Sequence, residues 1–152
     1  MDYLHTLQSR YQQYFQELAQ AKAESPAGGY LGLGADPRKH PCNKAFYQDV
    51  GAIVADFLAQ EPPHEEILAF TEYILKAPMG QEEQLSYGYL FAAQGHCRLL
   101  IPYLTPEERA SIWQWYDRAF PPAKRLPVQD ELAALLSGKR PRRRFFSGLF
   151  SG

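Results

Sequence analysis

Apolar residues recur every three or four positions in blocks separated by proline and glycine, and this restricts the chain to a bundle of helices. The first block sets Leu4, Leu7, Tyr11, Tyr14 and Leu18 on one face between about Asp2 and Glu24, with Gln and Ser filling most other positions. That stripe runs little over two heptads, which favours packing on the chain's own core over the seam of a dimer. Ser25-Pro26 and Gly28-Gly29 end it.

Further blocks follow. Cys42 or Asn43 can cap a second helix whose face is Phe46, Val50, Ile53, Val54, Phe57 and Leu58, stopping before Pro62-Pro63. A third starts near Pro63, carries Glu65 and Glu66 at the positive end of its dipole and buries Ile67, Phe70, Ile74 and Leu75 before Pro78 and Gly80. A fourth pattern, from about Glu82 to Ile101, directs Leu85, Tyr89, Leu90, Ala93, Cys97, Leu100 and Ile101 inward. Its interior Gly88 and Gly95 each cost about 1 kcal/mol relative to Ala, which points to a close approach by another backbone or a ligand. Thr105-Pro106-Glu107-Glu108 is a capping box launching a helix with Ile112, Trp113, Tyr116 and Phe120. Gln129 to Ser137 forms the last, with Leu132, Leu135 and Leu136 inward and Gly138 beyond it.

The expected fold is therefore all-α, a single compact bundle of about six helices. A shift of 42 places, Glu65 to Glu107, also maps Phe70, Tyr73 and Ile74 onto Ile112, Trp115 and Tyr116. This period suits HEAT-like stacked hairpins, although two copies fall short of a solenoid. With 152 residues, 45% hydrophobic and 22% charged, the chain can build a real core. No window approaches the roughly 18 apolar residues of a membrane span. The Met-Asp-Tyr-Leu-His start lacks the regions of a signal peptide, and two cysteines read as free thiols, so a cytoplasmic location is expected.

Two segments carry chemistry worth weighing. Gly28 to Asn43 is a long Gly- and Pro-punctuated break in which Gly32 and Gly34 offer backbone N–H groups, Arg38 and Lys39 offer charge, and His40, Cys42 and Asn43 lie at a helix start. An anion would suit that corner, although neither a Walker A nor a dinucleotide fingerprint is present. Lys39, His40 and Lys44 would lower the pKa of a Cys42 thiol at a helix N-terminus, but no third orienting group is identifiable. His40, Cys42, His96 and Cys97 match zinc in number but not in spacing, so no metal and no cofactor is expected. His5 and His64 read as surface residues, and the Glu65-Glu66, Glu82-Glu83 and Glu107-Glu108 pairs as dipole compensation.

The second segment is the C-terminus. Residues 1–138 hold all 17 acids and 11 bases, a net −6, whereas residues 139–152 hold five bases and no acid. Lys139, Arg140, Arg142, Arg143 and Arg144 precede Phe145, Phe146, Leu149 and Phe150. Bases followed by aromatic anchors suit an anionic membrane surface, RNA, an acidic protein or the −6 body itself. The division expected is an all-α domain over 1–138 and a basic aromatic tail over 139–152. The chain then reads as a non-enzymatic protein-interaction or adaptor domain whose tail takes an anionic partner. The alternative is a small enzyme or anion binder built on the Gly32–Asn43 loop.

Overall fold

A computed structural model describes residues 2–23, 39–81 and 88–138. Among them are six α-helices and no strand. Helix α1 (Tyr3–Ala23) opens with the Asp2 carboxylate accepting from His5 N at 3.0 Å and buries Leu7, Tyr11, Tyr14 and Leu18, the predicted stripe, with Leu4 half-buried at its end. Helix α2 (Pro41–Ala59) begins earlier than expected. Pro41 occupies the first turn, where its missing N–H costs nothing, and His40 is the cap, its Nδ1 accepting from Cys42 N at 3.1 Å. Helix α3 (His64–Lys76) buries Ile67, Phe70, Ile74 and Leu75 as predicted, with Pro63 as its N-cap residue. Gly80, at φ +83°, follows in the left-handed conformation glycine favours.

The fourth pattern is not the continuous helix its periodicity suggested. Among its described residues, α4 spans only Leu90–Ala93, then tightens into 3-10 turns at Gln94–Arg98 and Ile101–Tyr103. Leu99 N bonds to His96 O and Leu100 N to Cys97 O, each three residues back. Gly95 weakens helix propagation, and Pro102 has no N–H to give. Leu90, Ala93, Cys97, Leu100 and Ile101 are buried as expected, but Tyr89 is 38% exposed. The predicted close approach at Gly95 comes from a side chain, for a Cβ there would lie 3.2 Å from Val128 Cγ2.

Helix α5 (Pro106–Ala119) has the predicted capping box, Glu108 N to Thr105 Oγ1 at 3.1 Å and Thr105 N to Glu108 Oε1 at 2.8 Å. Helix α6 (Pro127–Ser137) starts two residues before the expected Gln129, which instead reaches back to accept from Leu126 N at 3.0 Å. Gly138 ends it at φ +75°. Leu132 and Leu136 are buried, whereas Leu135 is 37% exposed.

One hydrophobic cluster joins all six helices. Tyr14 stacks on Phe46, and Phe57 on Phe70, each pair with ring centroids 3.8 Å apart. A buried polar chain runs through the other half. Gln94 Nε2 donates to Leu75 O at 2.9 Å, Gln129 Nε2 donates to Gln94 Oε1 at 3.3 Å, and Tyr116 OH donates to Gln129 O at 3.4 Å. The end of α3, the 3-10 segment, the start of α6 and α5 are thereby fixed to one another.

Replacing Gln94 with Leu makes the core more apolar yet strands Leu75 O and Gln129 Nε2. Gln94→Leu is expected to destabilise the protein by about 2–4 kcal/mol in urea unfolding.

Candidate functional site

The described part of the sequence-predicted site is the corner where α2 begins. Lys39 is exposed, His40 and Tyr47 are half-buried, and Cys42 and Asn43 are buried at 6% and 1% exposure. Gly32, Gly34 and Arg38 lie outside the described residues, as do the tail residues Lys139, Arg140, Arg142, Arg143, Arg144, Phe145, Phe146 and Phe150.

His40 and Asn43 of the corner are both engaged in structural hydrogen bonds. The His40 ring nitrogen Nδ1 is engaged by the Cys42 amide. Asn43 Oδ1 accepts from the Tyr14 hydroxyl, and that same hydroxyl accepts from Tyr89 N at 2.6 Å. Burial raises the Tyr14 pKa, so the phenol stays protonated and donates. Arg10 braces the outside, its Nε donating to Asp49 at 2.8 Å and its Nη1 to Glu17 at 3.1 Å while the guanidinium lies over the Phe46 ring.

The electrostatics at Cys42 oppose nucleophilic use. Burial raises its pKa first and the Glu17 charge raises it further, while Arg10 and the Cys42 backbone amide offset this only in part. Cys97 is fully buried, its pKa raised by desolvation, with Sγ 4.0 Å from Thr71 O. His96 Nε2 lies 2.8 Å from Tyr47 O and its ring packs on Tyr47 at 4.4 Å. No group of three or more His, Cys, Asp or Glu among the described residues is placed to hold a metal ion. His5 is exposed, as expected, and His64 is 62% exposed with Nδ1 4.0 Å from Glu108 Oε1.

Sequence reasoning passed over two residues of this region. Tyr14 sits in an apolar stripe where a phenol needs a polar partner, and that need was the available signal. Gly51 lies inside an otherwise aliphatic helix, and a Cβ there would come 2.7 Å from His96 Cε1. The imidazole therefore lies directly on the α2 backbone.

Elsewhere the surface opens into a groove of about 490 Å³ between α1 and α3, whose floor includes Leu4, Leu68 and Ala69. It continues into a second recess of about 470 Å³ lined by Asp2, Tyr3, Phe57, Glu65 and Glu66. A third cavity of about 470 Å³, lined by Met79, Phe91, Phe120 and Leu126 among others, opens near the start of α6. Compared with protein-family models, with curated proteins and with solved structures, the chain finds no match.

Two measurements follow from these environments. Neither Cys42 nor Cys97 in the native protein is expected to react with iodoacetamide at about pH 6 faster than free cysteine; selective, rapid alkylation of Cys42 would restore the nucleophile. Burial lowers the His96 pKa below its usual 6.5, so the unfolded chain takes up a proton that the folded one refuses. Stability is then fully present above about pH 7 and falls as pH drops through 6.5 toward the folded pKa. Wild type should lose more stability than His96→Gln between about pH 7.5 and 5, and parallel profiles would contradict the assignment.

Proposed function

We propose that the chain is a non-enzymatic interaction or adaptor domain, residues 1–138, carrying a basic aromatic tail, residues 139–152, that engages an anionic surface. The observation that carries this reading is the segregation of charge and aromatic residues. Five bases and no acid lie beyond Gly138, where α6 ends, next to three Phe and a Leu, while the remainder is net −6. A solvating terminus has no use for Phe145, Phe146, Leu149 and Phe150. Each base near an anionic bilayer contributes about 1 kcal/mol, and the apolar side chains insert at the interface. Leu149 favours lipid over nucleic acid, because it has no ring face to stack on a base.

The α1–α3 groove and the exposed Met79, Leu99 and Tyr103 give the domain surfaces for a protein partner. A cytoplasmic site of action belongs to the same reading and rests on the two free thiols. No helix among the described residues is long and apolar enough to cross a membrane. HEAT-like stacking draws support from α3 and α5, which both open on an acidic pair. The competing use of the Gly32–Asn43 loop as an enzyme or anion site draws less support, because His40, Cys42 and Asn43 are engaged in capping and packing.

The full chain should sediment with phosphatidylserine-containing vesicles at low salt and be released as salt rises. Deleting residues 139–152 should abolish binding and leave a domain that still unfolds cooperatively. Binding to RNA with none to vesicles would move the tail from lipid to nucleic acid, and indifference to both at low salt would remove the anionic-partner reading.

A further inference from the structure

The groove between α1 and α3 matches the tail in charge, in order and in length. Its lip carries Asp2, Glu65 and Glu66. The N-termini of α1, which Asp2 caps, and of α3 together offset roughly one charge of these three carboxylates, so the lip stays net negative. From there the groove follows α3 past Leu68, Ala69 and Tyr73 to Ala77. Among the described residues of this wall the one cation, Lys76, is paired with Glu72 at 3.2 Å and covers the Trp115 ring. An acidic entrance therefore leads onto an open groove in which Leu4, Leu68, Ala69, Tyr73 and Ala77 form the apolar surface beside Gln8 and the Glu72–Lys76 pair. The tail presents the complementary order, bases over 139–144 and then Phe145, Phe146, Leu149 and Phe150.

The topology brings Gly138, the last described residue, to the same end of the bundle as that entrance. Helices α5 and α6 pack on each other and are joined by a short link in which Arg125 bonds to Phe120 O and Asp117. They therefore form an antiparallel hairpin. Tyr116 of α5 meets Gln129 of α6. At ~1.5 Å per residue, going from Tyr116 back to Glu108 and from Gln129 on to Ser137 covers roughly 12 Å each. Gly138 thus lies at the same end as Glu108, one interhelical spacing of about 8–10 Å away. Glu108 Oε1 is 4.0 Å from His64 Nδ1, at the start of α3 beside Glu65 and Glu66. An extended chain from Lys139 to Arg144 reaches about 20 Å, enough to span this gap. From Glu65 to Ala77 the α3 wall is about 18 Å long, and Phe145 to Phe150 extended covers about the same.

We infer that residues 139–150 of this chain dock in cis along the α1–α3 groove, with the last bases, Arg142 to Arg144, on the Asp2–Glu65–Glu66 lip and Phe145 to Phe150 over Leu4, Leu68 and Ala69. The groove then competes with the anionic surface for the same side chains, so the tail is held until a surface outbids the lip. This deepens the proposed function and rests on it for the identity of the competitor, while the clasp itself has an independent readout.

That readout is limited tryptic cleavage of the full chain after Arg142, Arg143 and Arg144, followed by mass spectrometry. Glu65→Gln/Glu66→Gln removes lip charge, and Ala69→Trp fills the groove at unchanged charge; thermal melts verify that both are folded. Cleavage is expected to be at least about threefold faster in each variant than in wild type, and salt should accelerate wild type alone. Affinity for phosphatidylserine vesicles should rise by a similar factor in both. Equal cleavage rates in wild type and both variants would overturn the clasp whether or not vesicles bind. Protection that vanishes on dilution would overturn docking in cis in favour of a second copy. Faster cleavage in both variants, with no form binding vesicles, would uphold the clasp and remove the lipid reading instead.

Discussion

The Tyr14 hydroxyl takes a hydrogen bond from the Tyr89 backbone and gives one to Asn43, so a single oxygen ties α1 to two later segments. Asn43 stands in the first turn of α2, and Tyr89 immediately precedes α4. One phenol on α1 therefore holds the first turn of α2 and the residue before α4 to each other. Its ring, stacked on Phe46, supplies apolar burial at the same point, so polar and apolar terms lock the same geometry. At the opposite end of the core the Gln94–Gln129 pair does similar work between α3, the 3-10 segment and α6. Buried polar groups at two sites thus give register to a core whose aliphatic contacts alone would tolerate sliding.

Much of this fold was legible in the sequence. The α1 stripe, the α3 face and the Thr105 capping box all follow from local spacing, which the tertiary structure leaves intact. Less legible was the stretch from Gly88 to Tyr103. Hydrophobic periodicity reports which residues face inward, and Leu90, Ala93, Cys97 and Leu100 do. It does not report whether an amide bonds three or four residues back, and there Gly95 and Pro102 decide. The His40 cap was missed because imidazole is an uncommon cap, and the signal that Pro41 offers for a first turn was passed over in favour of Cys42 or Asn43 as the cap.

The candidate site was legible in its residues but not in their use. Cys42 and His40 share a helix start, as the spacing implied, yet burial and the Glu17 carboxylate reverse the effect that nearby bases would have on the thiol. The α1–α3 groove had no local signature, because Leu4 and Leu68 meet only through tertiary packing. Glu65 and Glu66 show the difficulty well. Their position in the first turn of α3 accounts for them as helix stabilisers, and only the groove beside them gives the same carboxylates a second use.

The contact between Gly51 and His96 bears on how this chain can change over time. The imidazole rests where a Cβ on α2 would stand, and its ring is held by Tyr47 from the same helix. Gly51→Ala alone sets helix propensity, which favours it, against displacement of a pinned ring, which opposes it. Without a ring at position 96 the opposing term is gone and helix propensity alone remains. The two positions are therefore coupled, and what one tolerates depends on the residue at the other.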